Sequence, residues 1–419
     1  MYLSNRPPAE ALEQAGSAAG RTGKVSRTVI LLGIVSMLTD ISSEATAAVL
    51  PLYLTIGLGL SPIAYGLVDA IYQGASTLVR LAGGWWSDRA DRPKRVAVVG
   101  YAVSAAARVA LLAVQSLAGI TAVITADRLG KGLRTAPRDA LIAAASPAAS
   151  LGRSYGVHRA LDTTGAALGP LVAFAVLLML PGDYTAVFVV SLAAALLGLA
   201  VLVLVVPDLR PSRDLAVATT PTRPSWRLLN GRPMRRLMAA AGLLGVLTVS
   251  DGFLYLALQD RDDLAIVWFP VLFVGTNVAY LALAVPFGRL ADRFGRARVL
   301  VLGHLFLVGA YLCVGGPING PFVILLCLFL LGAFYASTDG VLVAATVELV
   351  PSSLRGTAIA TAQSVVAVAR AIAALTFGWL WFNWGRESAV LIISVALVLA
   401  VLVAWTLVRG LDSRAGAPQ

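Results

Sequence analysis

Residues 29–54 read VILLGIVSMLTDISSEATAAVLPLYL, an apolar run that contains two carboxylates, those of Asp40 and Glu44. About 20 helical residues cross a hydrocarbon core about 30 Å thick, so this run is long enough to span a membrane. At a spacing of four residues, the two carboxylates share one face of the helix. A charged residue at the centre of such a helix costs about 2.5–3.5 kcal/mol, and groups of this kind mark pathways for ions or substrates. The stretch therefore predicts a membrane-spanning helix with a functional pair of carboxylates.

The composition of the whole chain agrees with an integral membrane protein. Of its 419 residues, 58% are hydrophobic and only 13% are charged, against about 25% charged in soluble domains. The net charge of +11 does not indicate a nucleic-acid partner, because Lys and Arg lie in short segments between apolar runs. We find no metal-ligand spacing, nucleotide-binding loop or catalytic triad, and no soluble domain to hold one. We therefore expect a protein that is not an enzyme and has neither a metal nor an organic cofactor.

Twelve apolar runs divide the chain into two sets of six. They occupy residues 29–54, 62–82, 96–115, 118–145, 156–180 and 184–206, then 236–259, 264–288, 298–316, 320–347, 356–383 and 387–409. A polar segment rich in Arg and Pro separates the two sets. The expected organisation is a cytoplasmic tail (1–26), a six-helix bundle (27–206), a cytoplasmic linker (207–235), a second six-helix bundle (236–409) and a short cytoplasmic tail (410–419).

The loops between the runs differ in charge. Those after the second and eighth runs are rich in Arg and Lys, whereas the loops on the opposite side contain few cations. Since cationic loops remain on the cytoplasmic side, both termini are expected in the cytoplasm, in a multi-pass protein of the plasma (inner) membrane. We expect it to be a monomer.

A short motif occurs once in each half. Gly84-x-x-x-Asp88-Arg89 follows the second run, and Gly288-x-x-x-Asp292-Arg293 follows the eighth. A second pair of segments, Pro147 to Arg153 and Pro351 to Arg355, follows the fourth and tenth runs. Internal duplication of this kind is how many secondary transporters are built, with the substrate site near the midplane between the repeats.

The segment from Gly288 to Arg298, GRLADRFGRAR, closely resembles the signature loop of the major facilitator superfamily. The first-half copy keeps the Gly, the Asp and the basic residues but has Asp91 and Pro93 near the usual glycine. The resemblance covers residues 27–409 and is nearest to the 12-helix drug:proton antiporters. It implies an all-α membrane protein with twelve transmembrane helices in two pseudo-symmetric six-helix bundles.

The six motif residues of these loops are expected to act as a cytoplasmic gate. Glycine permits close helix approach, and the aspartate can pair with arginines and with a neighbouring helix N-terminus. We expect this gate to hold the cytoplasmic side closed, rather than to touch substrate. The residues are Gly84, Asp88, Arg89, Gly288, Asp292 and Arg293.

The fourth run contains Arg128-Leu-Gly130-Lys131-Gly132, which resembles a family motif whose Arg is implicated in proton transfer. On a helix, Arg128, Lys131, Arg134 and Arg138 fall within an arc of about 120°, so one face is basic. Two alternatives stay open. Arg128 can belong to a structural ion pair, and Arg134, Arg138 and Asp139 can lie near the cytoplasmic end and extend to water.

In the fifth run, Asp162-x-x-Gly165-x-x-x-Gly169-Pro170 resembles the motif of exporters that exchange substrate for protons. The two glycines permit tight packing and the proline bends the helix. Leu-Val-Ala follows the proline where the family motif has further glycine, and an ordinary packing seam is the alternative. His158, just before this motif, is a further titratable candidate, although a structural hydrogen-bonded role is commoner.

These features predict a proton-coupled exporter of small organic or amphipathic compounds that works by alternating access and uses the proton gradient. The alternative is a proton symporter or facilitator that imports an organic anion through basic residues of the third and fourth helices. Asp40 and Glu44 can also serve only to balance arginine charge. We assign proton coupling to Asp40, Glu44, Arg128 and Asp162. The substrate cavity is assigned to Asp69, Arg108, Lys131, Asp251, Asp339 and Tyr280.

Overall fold

The computed structural model describes residues 25–89, 92–147, 150–209, 231–351 and 354–411, with the backbone alone for residues 76–89. In these residues all regular structure is helical. Most of the predicted linker, 210–230, and most of both predicted tails lie outside the described residues. The first bundle consists of α1 (Arg27–Leu52, extended by a π-helical turn, Tyr53–Gly57), α2 (Pro62–Arg89), α3 (Pro93–Ala113), α4 (Leu117–Ala144), α5 (Leu151–Met179) and α6 (Tyr184–Leu204).

The second bundle has the same number of spans. The stretch Arg355–Val408 is divided at Gly385, whose φ of 80° is non-helical. Its two parts are α11 (355–384) and α12 (386–408). The preceding helices are α7a (Arg232–Gly245), α7b (Asp251–Asp262), α8 (Phe269–Phe294, after a 3₁₀ turn, Ile266–Trp268), α9 (Arg296–Gly315) and α10 (Pro321–Glu348).

Eight of the described helical stretches are long and apolar enough to cross a membrane. One of the eight is the Arg355–Val408 stretch, which contains two spans. The remaining spans are α2, the charge-bearing α4 and the broken α7. Twelve spans result, as the sequence predicts.

Helix pairing repeats between the two bundles. In the first bundle α4 packs against α2 and α3, and in the second α10 packs against α8 and α9. Within the first bundle, α1 also packs against α5 and α6. The bundles meet along two seams, α2 against α11 and α5 against α8.

Side chains tie the helix ends together at one end of the molecule, which we call the terminal end. Lys94, at the start of α3, donates to the carbonyl of Val206 beyond α6, at 2.6 Å. Arg236 in α7a likewise donates to the carbonyl of Arg409 beyond α12, at 2.9 Å. The opposite end of the bundle is called the far end.

The two bundles are in close contact near the far end. A Cβ added at Gly66 of α2 would lie 2.6 Å from the carbonyl oxygen of Ala374 in α11. On the second seam, the rings of Phe174 and Trp268 lie 5.4 Å apart, centre to centre. At Gly66 the two backbones can approach this closely because glycine lacks a side chain. The described contacts thus hold the far end of the central space closed.

Helix α7 is broken at 246–250, where the sequence predicts a continuous helix over 236–259. The Tyr311 hydroxyl of α9 donates to the Leu247 carbonyl, at 2.7 Å, and accepts from the Val249 amide, at 2.8 Å. Backbone groups in a membrane interior need such partners. The apolar pattern of the sequence continues through the break. Tyr311, which supplies the replacement hydrogen bonds, lies in another helix, so hydropathy cannot reveal the break.

The Tyr311→Phe substitution is expected to lower stability by about 1–3 kcal/mol, because it leaves the buried amide of Val249 and the partly buried carbonyl of Leu247 without this partner. The measurement is the thermal unfolding midpoint of the purified protein in detergent. Tyr184→Phe is the control, because the Tyr184 hydroxyl is buried and has no hydrogen-bond partner among the described residues. An equal effect of the two substitutions would contradict the role assigned to Tyr311.

Candidate functional site

One buried cluster in the first bundle is centred on Asp127 of α4, which is 1% exposed. Its Oδ2 atom accepts from Arg108 of α3, at 3.3 Å, and from Nε of the adjacent Arg128, at 3.1 Å. Arg108 also donates to the Ser43 hydroxyl of α1, at 3.4 Å. A carboxylate enclosed by two guanidinium groups has its charge fully compensated. This geometry favours the structural ion-pair interpretation of Arg128.

The basic residues of α4 contact side chains of different helices. The Arg128 guanidinium lies 4.1 Å from the centre of the Tyr72 ring of α2, which is a cation–π contact. Arg134 is 3% exposed, and its guanidinium lies 4.5 Å from the centre of the Tyr101 ring of α3. It therefore does not extend to water, so that interpretation is wrong for Arg134. The predicted basic face is divided among several neighbouring helices.

Lys131 is shared by two carboxylates of α1. Its Nζ atom lies 3.8 Å from Oδ1 of Asp40 and 4.0 Å from Oε1 of Glu44. The side chains of Lys131 and Glu44 are each about a third exposed, and that of Asp40 is less so. These three side chains, which we call the shared-lysine cluster, are more exposed than that of Asp127.

A third group links α1, α4 and α5. Arg138 lies 3.0 Å from Asp139 and 3.6 Å from Asp162, and its Nη1 atom donates to the Ser36 hydroxyl at 3.2 Å. That hydroxyl is also hydrogen-bonded to Nε2 of His158, at 3.1 Å. His158 thus has the hydrogen-bonded structural role that the sequence left open.

Asp162 connects this group to the shared-lysine cluster. Its carboxylate pairs with Arg138 and also acts electrostatically on that of Asp40, which pairs with Lys131. Three of the four predicted coupling residues therefore lie together, and Arg128 lies apart, with Asp127.

The glycines of the α5 motif pack directly on the carboxylate helix. A Cβ at Gly165 would lie 2.7 Å from Cα of Met37, and one at Gly169 would lie 2.6 Å from Cβ of Glu44. Helix α5 therefore touches α1 at the level of the shared-lysine cluster. A displacement of Glu44 would act directly on α5.

A separate group of polar side chains lies where the two bundles meet. Arg370 of α11 lies 3.8 Å from Asp339 of α10 and 5.6 Å from the centre of the Tyr335 ring. The Tyr335 hydroxyl donates to Oδ1 of Asp251, at 2.8 Å. Asp251 is the first residue after the break in α7. Asp69 of α2 also belongs to this group, because it lines the same cavity as Asp251.

Two cavities open beside these residues. The larger has a volume of about 530 Å³, and residues of both bundles line it, including Gln73, Arg159, Tyr280, His304, Asp339 and Arg370. The smaller has a volume of about 130 Å³ and lies at the α7 break, with walls that include Tyr65, Asp69, Tyr72, Gln73, Ser250 and Asp251. Of the predicted cavity residues, Asp69, Asp251, Asp339 and Tyr280 line one of these spaces. Arg108 and Lys131 line neither.

The predicted gating loops are described only in the second half. Asp292 lies 2.8 Å from Arg296, which lies 2.6 Å from Glu348 at the end of α10. The guanidinium of Arg293 lies 5.5 Å from the centre of the Phe294 ring. A Cβ at Gly288 would meet no described atom within 4 Å, so the described residues show no close approach there. The side chains of the first-half copy, Gly84, Asp88 and Arg89, lie outside the described residues.

Sequence reasoning missed three members of the group at the bundle interface. Tyr335 lies four residues before Asp339 and therefore on the same helix face, and this spacing is visible in the sequence. Arg370 is a charged residue inside the eleventh apolar run, which is also a signal in the sequence. Ser250 becomes significant only because α7 is broken beside it.

Comparison with known proteins identifies the family. The model of the Major Facilitator Superfamily matches residues 32–276 and 263–418. The chain belongs to this superfamily. It is a multi-pass membrane transporter and not an enzyme.

Individual relatives agree with this assignment. An uncharacterized MFS-type transporter of Methanocaldococcus jannaschii is 29% identical over 85% of this chain and 89% of its own. A Mycobacterium tuberculosis protein is 26% identical over 90% of this chain and 92% of its own.

Solved structures share the fold at lower identity. The nucleoside transporter NupG superposes with a TM-score of 0.77 at 13% identity, over 91% of this chain and 99% of its own. The peptide transporter POT in complex with sulfate gives a TM-score of 0.70 at 17% identity, over 96% of this chain and 99% of its own. Similarity at this level shows the fold alone.

Proposed function

We propose that this transporter is a proton-coupled antiporter that exports small organic or amphipathic compounds by alternating access. The proton gradient drives it, in the plasma (inner) membrane, with the terminal end in the cytoplasm. The observation that carries the proposal is the shared-lysine cluster, in which two carboxylates, Asp40 and Glu44, have one ammonium partner.

The charges of this cluster suit reversible protonation. With both carboxylates ionised, Lys131 balances only one of them, and the cluster has one unit of negative charge. Binding of one proton makes it neutral, which is favourable in a membrane interior. Lys131 and Glu44 each have about a third of their side-chain surface exposed, which leaves room for a proton to reach the cluster. Asp127, by contrast, has two guanidinium partners and is buried, so it is not suited to exchange protons.

Helix contacts connect the cluster to the movement of the bundles. Proton binding changes the attraction between α1 and α4, and α1 packs closely on α5 at Gly165 and Gly169. Helix α5 in turn forms one of the two seams between bundles, against α8. Rocking of packed bundles about such seams is an established kind of conformational change. The conformation described, with the far end closed, corresponds to the inward-facing state if the terminal end is cytoplasmic.

The alternative, import of an organic anion through Arg108, Arg128 and Lys131, has less support. Arg108 and Arg128 are buried against Asp127, and none of the three lines either cavity. An anion in the larger cavity would instead meet Arg159 and Arg370, which are already paired with Asp162 and Asp339.

The test uses proteoliposomes that contain a pH-sensitive dye, with benzyltrimethylammonium and ethidium as transported probes. An inward probe gradient is expected to drive protons out, and proton movement in the same direction as the probe would contradict antiport. The Asp40→Asn/Glu44→Gln variant is expected to lose at least about 90% of proton-coupled transport, since a neutral pair cannot exchange a proton. It should keep probe-for-probe exchange. Full pH-driven transport by this variant would refute the assignment of the coupling site.

A further inference from the structure

We infer that the smaller cavity, at the break in α7, binds the ammonium group of a protonated amine. The inference rests on the proposed function in one respect, that the amine is the compound transported. It deepens that function by naming the chemical class of the substrate and the side chains that select it.

The charge around the cavity favours a cation. Asp69 and Asp251 both line it, and none of the described side chains on its walls is cationic. The nearby guanidinium of Arg370 is paired with Asp339, and that of Arg128, behind the Tyr72 ring, with Asp127. Each of these arginines has its own carboxylate. Asp69 and Asp251 form no ion pair among the described residues, and the Arg370 charge reaches them only at longer range.

The cavity also contains buried acceptors that are not used. Asp69 is 7% exposed, its Oδ2 atom has no hydrogen-bond partner among the described residues, and its Oδ1 atom has only a long contact, 3.5 Å, with Gln73. The Ser250 hydroxyl, which is buried beside Asp69, likewise forms no hydrogen bond of good geometry within the described part of the chain. Asp251 accepts one hydrogen bond, from Tyr335. Because ionised carboxylates only accept, the missing partner is a donor, and an ammonium group supplies up to three N–H donors.

The size and walls of the cavity favour an organic ammonium group over a bare ion. Its volume of about 130 Å³ is that of about four water molecules in the liquid. Four aromatic rings line it, those of Tyr65, Tyr72, Phe273 and Tyr335, and aromatic faces attract cations of this kind. Gln73 lines both cavities. A ligand can therefore place its ammonium group in the smaller space and its organic part in the larger.

The test is calorimetric titration of the purified full-length protein in detergent, without a pH gradient, at neutral pH. Benzylammonium chloride is compared with benzyl alcohol, its uncharged analogue, and with sodium chloride alone. Benzylammonium is expected to bind at least about tenfold more tightly than benzyl alcohol, since only the cation satisfies the carboxylates. Sodium alone is expected to bind weakly and without dependence on Asp69.

Variants locate the site. Asp69→Asn and Asp251→Asn are each expected to weaken benzylammonium binding by about tenfold or more. Ser250→Ala, which keeps all charges, is expected to weaken it by about threefold, and it provides a second measurement if an aspartate variant folds poorly. Asp260→Asn is the matched control, because Asp260 is exposed, lies outside both cavities and pairs with Arg386 at 2.8 Å.

Each opposing result has a distinct meaning. Equal binding of benzyl alcohol, or unchanged binding in Asp69→Asn and Ser250→Ala, would overturn the inference. Sodium binding that depends on Asp69 and excludes benzylammonium would assign the cavity to a free ion instead. Amine binding without proton exchange in vesicles would refute the antiporter proposal alone, whereas proton exchange with uncharged compounds only would refute this inference alone.

Discussion

Replacing Asp127 by Asn is expected to destabilise the first bundle by about 3–5 kcal/mol, the cost of breaking a buried ion pair by removing one partner. The carboxylate is the shared acceptor of Arg108 and Arg128, and all three side chains are almost fully buried. Without it, two guanidinium groups remain in the interior with no negative charge between them. The measurements are the thermal unfolding midpoint in detergent and the yield of monodisperse protein.

Asp139→Asn provides the matched control on the same helix. Its side chain is 42% exposed, and its partner Arg138 also has Asp162. Exposed pairs contribute about 0–1 kcal/mol, so this variant should unfold close to the wild-type temperature. A second substitution sharpens the test, because Asp127→Asn/Arg108→Gln removes one of the two stranded charges and should recover part of the loss. Equal midpoints for Asp127→Asn and Asp139→Asn would show that the Asp127 cluster is not structural.

The contrast between Asp127 and Asp40 shows how much of the site can be predicted from the sequence. Helical spacing predicts that Asp40 and Glu44 share a face, and the position of Lys131 between them agrees with that prediction. Spacing also groups Arg128 with Lys131 on one basic face, yet their partners come from different helices. A periodic pattern specifies which side of a helix a residue occupies, but not which helix lies opposite. The separation of a buried cluster from an open one therefore requires the packed structure.

The fold is more predictable than the site for a physical reason. Membrane spans must be apolar and long, and loop charge and repeated glycine motifs mark their ends. Twelve spans in two bundles therefore follow from these sequence patterns. The break in α7 has no such signal, because the Tyr311 hydroxyl replaces the missing helical hydrogen bonds from another helix. The ammonium cavity depends on this break and on residues of α2, α7b and α10. The sequence marks Asp69 and Asp251 as charged residues inside apolar runs, but it does not show that they meet at one cavity.

Gly66→Leu is expected to reduce transport by about tenfold or more by opening the far-end seam. A Cβ at this position would lie 2.6 Å from the carbonyl oxygen of Ala374, which is backbone and cannot rotate away. Overpacking of this kind costs about 1–3 kcal/mol, and a free energy of that size changes a conformational ratio by about 5–150-fold. Since only the far-end-closed state has this contact, the substitution should favour the state open at that end.

The population shift is measured separately from transport, with a cysteine introduced at Ala64, which is 8% exposed and lies near Gly66 in α2. The native Cys313 and Cys327 are first replaced by Ser. Labelling by a membrane-impermeant maleimide should be at least about fivefold faster in the Gly66→Leu background, following the shift in population. Gly152→Leu is the control, because a Cβ there would meet no atom within 4 Å. Faster labelling with unchanged transport would mean that opening of this seam does not limit the cycle, whereas unchanged labelling would mean that Gly66 does not hold the seam closed.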